Sequence, residues 1–500
     1  MEFITNAFEY LTTSNEPSSS TSDGVARAQK VRLLAKRDEH IGSKCQLFFA
    51  NDPIVVERAS MQYVYDSEGR RLLDCISNVQ HVGHCHPKVV QAISEQLAKS
   101  TCNARFVSEK LTECAEELLK TLPGLDTIMF CNSGSEANDL ALRLARDFTG
   151  HKDVVVLEHA YHGHITTTMQ ISPYKFEHGS SIKKPDWVHV TPVPDVYRGL
   201  YRLEDSHLHD ANAQEAMGEK YASAVVDVVE DGERVGRHFA AFIAEALQSC
   251  GGQIVTPRGY LTRVGAIMRA RGALMIIDEV QTGFGRVGTF WAHQMHNDGF
   301  TPDIVTMGKP MGNGFPVAAI ATRKEIADRL GGIVGYFNTY GGNPVACAAT
   351  LAVMSVLRDE HLVIHSQKMG KLFAEKLAVL CDKHACIGDI RGIGMFWGVD
   401  LVVIDVNGEK TREPATQLAR TVIARMRAVH GVLLSADGPH SNVLKFKPPM
   451  CFNADDLHKA IGALDAVLCE LAIFALVNHA KIDNELHDNE KFESNLTEKK

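Results

Sequence analysis

Short apolar runs alternate with helix-length segments through the middle of this 500-residue chain. Five runs carry the pattern, at residues 127–131, 154–157, 240–244, 274–277 and 304–307. Apolar strands separated by helices are typical of a mostly parallel β-sheet with helices packed on its faces. The pattern therefore predicts an α/β fold in which this sheet forms the core of a large domain.

The pattern changes after about residue 345. Helix-like segments at 344–356 and 367–380 are followed by strand-like runs at 396–403 and 443–446. Helices followed by strands, instead of a strict alternation, are typical of an α+β unit. We therefore predict a second, smaller domain of the α+β class.

Both ends of the chain are polar, which is typical of disordered extensions. Residues 11–23 are rich in Ser, Thr, Asn and Pro, although the basic stretch 26–37 could form a helix. The predicted parts are a disordered leader (1–39), an N-terminal segment that contributes to the small domain (40–90), the large domain (91–345), the C-terminal small domain (346–480) and a disordered tail (481–500).

Composition and charge exclude several classes of protein. With 52 basic and 61 acidic side chains the net charge is −9, and no long basic run occurs, which argues against nucleic-acid binding. No apolar stretch reaches the length of about 18 residues that a membrane span needs. Twelve scattered cysteines without a CxxC pair or a secretory signal predict a reduced, intracellular protein. We expect no metal site, because the adjacent His84, Cys85 and His86 should point in different directions.

A polar or reactive residue follows each of the five apolar runs. In open parallel sheets, ligands bind beyond the carboxyl ends of the strands, so we expect these residues to meet in one site. In chain order the candidates are Ser133, Gly134 and Ser135, then Tyr161 and His162, then Glu245, then Asp278, and finally Lys309.

Ser133, Gly134 and Ser135 open a predicted helix, where free backbone N–H groups favour a phosphate. The alternative is a capping box, with Glu136 three residues after Ser133. Tyr161 could stack on a flat heterocycle or could be an ordinary half-buried loop tyrosine. The sequence alone leaves both pairs of alternatives open.

Asp278 ends an apolar strand, and a buried carboxylate needs a positive partner, either a protonated pyridine nitrogen or a magnesium ion. The magnesium alternative would require a GxxxxGK[ST] loop, which the sequence lacks. Lys309 emerges into the same crevice, where desolvation would make its amine a nucleophile toward carbonyls. A phosphate cradle, a stacking ring, a buried carboxylate and a crevice lysine together match the needs of pyridoxal 5'-phosphate.

Five segments carry a family resemblance, namely NSGSEAN (132–138), HAYHGH (159–164), DEVQTGFGRVG (278–288), TMGKPMGNG (306–314) and NTYGGNPVACA (338–348). In these segments the chain resembles the class III aminotransferases, which are pyridoxal-phosphate enzymes of fold type I with a mostly parallel seven-stranded sheet.

This resemblance implies a role for each candidate. Lys309 would form the Schiff base with the cofactor, Asp278 would pair with the pyridinium nitrogen and Gln281 would lie near the ring hydroxyl. Tyr161 would stack on the ring, with His162 and Glu245 beside it, and Ser133 to Ser135 would hold the phosphate. Thr339 would reach the phosphate of the neighbouring subunit's cofactor, which implies a homodimer, and a dimer of dimers is a further option.

Within that family the chain resembles the phospho-lyases that act on phosphoethanolamine and on 5-phosphohydroxy-lysine. The segments that carry this likeness lie at 75–87, 172–176, 241–254, 388–394 and 433–452. A phosphorylated amino alcohol would then give an aldehyde, ammonia and phosphate.

Two departures keep a transaminase alternative open, with an ω-amino acid or alanine as donor and a 2-oxo acid such as glyoxylate or pyruvate as acceptor. Phe315 stands where the phospho-lyases typically have histidine, and Thr282 stands where they have an apolar residue. A non-enzymatic scaffold is disfavoured because Lys309 and Asp278 are both present.

Cys250 stands where many transaminases of this class carry a glutamate, whose partner in the resemblance would be Arg391. Without that glutamate, we hypothesise that Arg391 is permanently available to an anionic substrate group. The alternative is a structural salt bridge. The compartment is predicted to be the mitochondrial matrix, with the cytoplasm as the alternative, because the early acidic residues suit import poorly.

Overall fold

The computed structural model describes residues 21–332, 335–405 and 407–473. Two compact units divide these residues: one holds 21–59 and 63–72, and the other holds 60–62 and 73–473. The predicted tail at 481–500 and the first half of the predicted leader lie outside the described residues.

The first unit contains helix α1 (Thr21–His40). This helix differs from the disordered leader predicted up to residue 39 and agrees with the alternative of a helix at 26–37. Its Ala, Arg, Lys, Gln and Leu residues are strong helix formers, which explains the difference. The N-terminal strands are β1 (Val56–Ser60), β2 (Tyr63–Asp66) and β3 (Arg71–Asp74), with β1 and β3 running across the boundary between the units.

A seven-stranded sheet forms the centre of the second unit, in the order β4-β12-β11-β10-β7-β5-β6. Its strands are β4 (Thr127–Cys131), β5 (Asp153–Leu157), β6 (Val188–Thr191), β7 (Phe239–Glu245), β10 (Leu274–Asp278), β11 (Ile304–Met307) and β12 (Ala318–Thr322). Only β12 is antiparallel to its neighbours β4 and β11, and the other pairs are parallel. The five predicted strands and the mostly parallel sheet are therefore confirmed, whereas β6 and β12 were not predicted.

Successive residues of the central strands point into two separate apolar cores. Along β5 and β7, for example, Val155 and Phe242 join one core, and Val154 and Ile243 join the other. Because both faces are covered, these strands are continuous apolar runs and do not alternate with polar residues.

Helices lie between the strands along the chain, and several of them pack on the seven-stranded sheet. In chain order they are α2 (Pro87–Lys99), α3 (Glu109–Leu119), α4 (Gly134–Thr149), α5 (Thr166–Gln170), α6 (Pro173–Phe176), α7 (Ala211–Arg234), α8 (Tyr260–Arg269), α9 (Lys324–Ala327), α10 (Pro344–Asp359), α11 (Leu362–Lys383), α12 (Thr416–His430) and α13 (454–473). None of the helices in the described ranges is long and apolar enough to cross a membrane.

A second sheet follows in the C-terminal part, with the order β13-β14-β18-β17 and β15 paired to β14. Its strands, all antiparallel, are β13 (Ile387–Ile393), β14 (Phe396–Ile404), β15 (Lys410–Pro414), β17 (Ser435–Asp437) and β18 (Val443–Phe446). The short strands β8 (Leu247–Gln248) and β9 (Ile254–Val255) pair with each other, and β16 (Val432–Leu433) pairs with the end of β3. This is the α+β arrangement expected after residue 345, although the predicted domain boundaries stay a prediction.

Candidate active site

One cavity of about 250 Å³ lies at the carboxyl ends of the parallel strands. Residues from all five predicted strand ends line it. These residues, which we call the strand-end cluster, are Ser133, Gly134, Ser135, Tyr161, His162, Glu245, Asp278 and Lys309. Gln281 lines the same cavity. The sequence-based expectation that these residues meet in one place is therefore confirmed, while their chemical roles stay predictions.

Asp278 is held by a buried network of hydrogen bonds. Asn138 Nδ2 donates to Asp278 Oδ2 at 2.7 Å, and His162 Nδ1 lies 2.9 Å from the same oxygen. Asn138 Oδ1 in turn accepts from Thr306 Oγ1 at 2.7 Å. Since the Asp278 side chain is only 5% exposed, this network fixes the direction in which the carboxylate points. Sequence reasoning missed Asn138, although it ends the NSGSEAN motif.

Glu245 lies directly beside Asp278, because the two residues are paired in the register of β7 and β10. Burial raises the pKa of the Glu245 carboxyl to about 7, with the neighbouring Asp278 adding to the shift and His162 opposing it. Its oxygens accept from the backbone N–H groups of Tyr161, at 3.2 Å, and Ser249, at 3.1 Å. Glu245 thereby positions the loop that presents the Tyr161 ring.

The start of helix α4 combines the two alternatives left open by the sequence. Ser133 Oγ accepts from the N–H of Glu136 at 3.2 Å, and Glu136 Oε2 accepts from the N–H of Ser133 at 3.1 Å, so a capping box is present. The capping box does not use the N–H groups of Gly134 and Ser135, the first two residues of the helix, so these groups can bind an anion. A Cβ atom at Gly134 would lie 2.6 Å from Val280 Cγ1, so only glycine fits there. Capping and anion binding are thus compatible at this turn.

A buried lysine that the sequence analysis did not identify contacts the cavity wall. Lys447 Nζ donates to Gln281 Oε1 at 3.0 Å and to Ser249 Oγ at 2.7 Å. Burial lowers the pKa of Lys447 to about 7, and the nearby Lys445 lowers it further. Lys447 follows the apolar strand β18, and its only signal in the sequence is a charged residue within a buried run.

Lys447 belongs to what we call the lysine cluster, which consists of Lys445, Lys447, Asp437 and Cys250. Lys445 Nζ lies 2.6 Å from Asp437 Oδ2. Burial raises the pKa of the Cys250 thiol to about 12, and the other charged members of the cluster act on it as well. The backbone N–H of Gly438, directly after β17, donates to the Cys250 carbonyl at 3.0 Å, so Cys250 lies beside the β17–β18 hairpin.

Arg391 is not available in the way that the sequence suggested. Its Nη1 lies 2.6 Å from Asp389 Oδ2, its Nη2 lies 3.1 Å from Asp400 Oδ2, and its Nε donates to the carbonyl of Gly252 at 2.9 Å. Although burial alone would lower the pKa of Arg391, the two carboxylates raise it above its ordinary value. The side chain lines a separate, smaller cavity. Arg391 thus forms the buried salt bridge that was the alternative, while a role of Arg391 toward an anionic substrate stays a prediction.

The two departures from the phospho-lyase pattern lie in different environments. Phe315 lines the cavity. Thr282, in contrast, is buried and donates to Glu279 Oε2 at 2.6 Å. Only Phe315 is therefore placed to contact a substrate. Thr339 is exposed and does not line the cavity of its own chain.

The triplet His84, Cys85 and His86 has diverging partners. His84 Nε2 lies 2.7 Å from Asp74 Oδ2, and His86 Nε2 lies 3.2 Å from Glu360 Oε1. Each imidazole is thus engaged with a different carboxylate, as expected for adjacent residues.

Comparisons with known proteins bear on this geometry. The sequence profile described as aminotransferase class-III matches residues 49–468. The chain is 59% identical over 469 residues to ethanolamine-phosphate phospho-lyase homolog 1 of Caenorhabditis elegans, covering 94% of this chain and 99% of that protein. It is 47% identical over 438 residues to alanine--glyoxylate aminotransferase 2-like of Drosophila melanogaster, covering 87% and 86%.

Among solved structures, the fold matches a phospholyase from Arthrobacter in complex with phosphoethanolamine. The TM-score is 0.80 at 35% sequence identity, and the match covers 87% of this chain and 99% of that one.

Proposed function

The chain belongs to the class-III aminotransferase family, and we propose that it is a pyridoxal-phosphate-dependent phospho-lyase that removes ammonia and phosphate from a phosphorylated amino alcohol or phosphohydroxy amino acid. The product would be an aldehyde. The observation that carries the proposal is the hydrogen bond from Lys447 Nζ to Gln281, because Gln281 lines the cavity that also holds Asp278 and Lys309.

The residues present fit the cofactor. The N–H groups of Gly134 and Ser135 and the hydroxyl of Ser135 would hold its phosphate, and the Tyr161 ring would stack on its heterocycle. The carboxylate of Asp278, fixed by Asn138 and His162, would face the ring nitrogen. The buried His162 Nε2 has no hydrogen-bond partner within the described residues, which suits a site completed by a bound group. When bound, pyridoxal phosphate withdraws electrons from the carbon that carries the substrate's amino group.

Lys309 lies where it can move a proton. No hydrogen bond or ion pair engages its amine among the described residues, and it borders the cavity. We assign to Lys309 Nζ the removal of the proton from the carbon that carries the amino group. A phosphate on the next carbon then leaves with the electrons of its C–O bond, and water replaces the nitrogen to give the aldehyde and ammonia. Elimination therefore needs water but no 2-oxo acid.

The lysine cluster would receive the leaving phosphate. Lys447 has a pKa of about 7, so it can carry a positive charge and can also donate a proton near neutral pH. Lys445, on the same hairpin, adds a second cation that is only 16% exposed. Cationic N–H groups are strong partners for phosphate oxygens. The lysine cluster thus takes over the anion-binding role that the sequence had suggested for Arg391.

The test is phosphate release from phosphoethanolamine or phosphohydroxylysine in the absence of any 2-oxo acid. Release over many turnovers, lost on Lys309→Ala, is the expected result. A transaminase, in contrast, would turn over an ω-amino acid or alanine only with glyoxylate or pyruvate present. The presence of Phe315 in the cavity, where the phospho-lyases typically have histidine, favours this second function. Phe315→His should then increase phosphate release relative to transamination.

We also propose that the enzyme is a homodimer in which Thr339 reaches the partner's site. The support is a group of exposed large side chains around the segment that carries Thr339, namely Phe106, Val107, Phe337 and Tyr340. Arg105 stacks on the Phe337 ring, 4.1 Å from its centroid, and orders this surface. Exposed apolar patches of this kind mark interaction sites. A dimer of dimers is the larger alternative, which light scattering would distinguish.

Complementation tests the shared site. Co-expressed Lys309→Ala and Thr339→Asp chains should form mixed dimers in which one site carries both changes and the other carries neither. Recovery of about half of the activity per mixed dimer is expected if Thr339 acts across the interface. Mixed dimers without activity would contradict the proposal.

For the compartment we propose the mitochondrial matrix, with the cytoplasm as alternative. The support is helix α1, whose Arg27, Arg32 and Lys36 side chains are exposed. A reporter fused to residues 1–40 should co-fractionate with mitochondria, and a cytosolic reporter would decide for the alternative.

A further inference from the structure

Three potential metal ligands meet on the face of the C-terminal helix, far from the active site in sequence. Asp465 and Cys469 are four residues apart in α13, so they lie on the same face, one turn above the other. His384, directly after the end of α11, completes the group. One ligand atom from each residue lies within 4.8 Å of the others.

The distances are close to those of a metal site. Cys469 Sγ lies 3.9 Å from Asp465 Oδ1, and His384 Nε2 lies 2.7 Å from the same oxygen. The ligand atoms of a tetrahedral zinc ion lie about 3.3 to 3.8 Å apart. The thiol is therefore already well placed, and the imidazole must move by less than about 1 Å.

The group already attracts a cation. The ammonium of Lys383 lies 2.8 Å from Asp465 Oδ2 and 2.7 Å from Oδ1. Lys383 is half exposed, so its flexible side chain can swing into solvent when a stronger cation arrives. His384 is buried, whereas Asp465 is partly exposed, which leaves an entry path and room for a water ligand.

We propose that His384, Asp465 and Cys469 form a zinc-binding site, with Lys383 occupying it when zinc is absent. Nitrogen, oxygen and sulfur ligands in one tetrahedral set favour zinc over magnesium or calcium, which take oxygen ligands. The ion would link the end of α11 to α13 and would act on the stability of the C-terminal helix. This proposal does not depend on the proposed function.

The test is calorimetric titration of the full-length holoenzyme with zinc chloride. We expect one site that His384→Ala and Cys469→Ser each weaken at least tenfold. Lys383→Met should tighten binding several-fold, because the competing ammonium is gone.

Matched variants keep the result unambiguous. Lys371→Met removes an exposed lysine from the same helix, and Cys386→Ser removes a nearby thiol outside the group. Both should titrate like the unchanged protein, as should a variant without the exposed thiols Cys45, Cys85 and Cys102. If zinc does not bind, or if His384→Ala and Cys469→Ser bind it as tightly as the controls do, the proposal is wrong. Titration with cobalt(II) is a second test, because the visible absorption bands of the bound ion should be absent in the same two variants.

Discussion

The strand-end cluster lines the cavity, whereas the lysine cluster lies behind the cavity wall and meets it through the Lys447–Gln281 hydrogen bond. In the strand-end cluster, Asp278 is held by two side chains and supported by a third, so its geometry is set before anything binds. In the lysine cluster, Lys447 has a pKa near neutrality and Lys445 has a single carboxylate partner. The strand-end cluster is therefore fixed by hydrogen bonds, whereas the lysine cluster is adjusted by protonation.

Among the variants that distinguish the two clusters, a substitution of Lys309 should have the largest effect on activity. Lys309→Ala removes both the cofactor attachment and the proton acceptor, so phosphate release should fall by about 10³-fold or more. Lys371→Ala, on an exposed part of helix α11, is the matched control and should keep full activity. Residual activity of Lys309→Ala within tenfold of the control would show that another group moves the proton.

A smaller loss is expected when the support of Asp278 is removed. Asn138→Ala deletes a hydrogen bond to a buried carboxylate, and such bonds are each worth roughly 1.5–3 kcal/mol. We therefore expect kcat to fall about 10- to 100-fold, with the cofactor still bound. Asn212→Ala, at an exposed asparagine of helix α7, should leave kcat unchanged, and equal losses in the two variants would argue against a specific role for the network.

Lys447→Met should act on substrate affinity, with an increase in KM of about tenfold, which corresponds to the loss of one charge-assisted hydrogen bond. The charged fraction of Lys447 falls as the pH rises through about 7. The KM of the unchanged enzyme should therefore increase between pH 6.5 and 8.5, and the variant should lose this trend. If KM increased with pH in the same way in both proteins, the pH dependence would come from another group.

The same lysine makes a prediction for stability. Its pKa in the folded protein, about 7, lies below the ordinary value of 10.5, so the folded state binds fewer protons between these two values. Stability from this group therefore increases as the pH rises from 7 to 10.5 and is lowest at acidic pH. Lys447→Met should raise Tm more at pH 6.5 than at pH 9. An increase in Tm that is the same at both pH values would mean that the buried charge of Lys447 does not cause the stabilisation.

The smallest effect on activity is expected at Arg391. Arg391→Ala should leave the KM for a phosphorylated amine within about twofold, since the guanidinium is occupied by Asp389 and Asp400. The free energy of unfolding should nevertheless fall by about 3–5 kcal/mol, because the buried Asp389 loses its arginine, whereas Asp400 keeps its ion pair with Arg198. Urea denaturation measures the second effect. A large rise in KM at unchanged stability would restore the hypothesis of a substrate-binding arginine.

The strand-end cluster could be predicted from sequence because a parallel sheet brings the carboxyl ends of its strands to one edge. Asp278, Glu245 and Lys309 follow buried runs directly, so the position of each strand fixes the position of its residue. Strands β6 and β12 were missed because half-polar β6 and alanine-rich β12 lack a distinct apolar run.

The lysine cluster could not be predicted in the same way. Lys445 and Lys447 lie on an antiparallel hairpin about 170 residues after Asp278 in the chain, and no local pattern determines where this hairpin meets the large sheet. Arg391 illustrates the same limit: its residue type suggested anion binding, but its partners Asp389 and Asp400 are set by the register of β13 and β14.

The capping box at Ser133 bears on how the enzyme acquires its cofactor. Because Glu136 and Ser133 satisfy each other's backbone N–H groups, helix α4 starts at Gly134 without a bound phosphate. The protein should therefore fold without its cofactor and keep an intact docking surface. Cofactor binding would then be a reversible exchange with the surrounding solution. The fraction of active enzyme would therefore increase with the concentration of free cofactor.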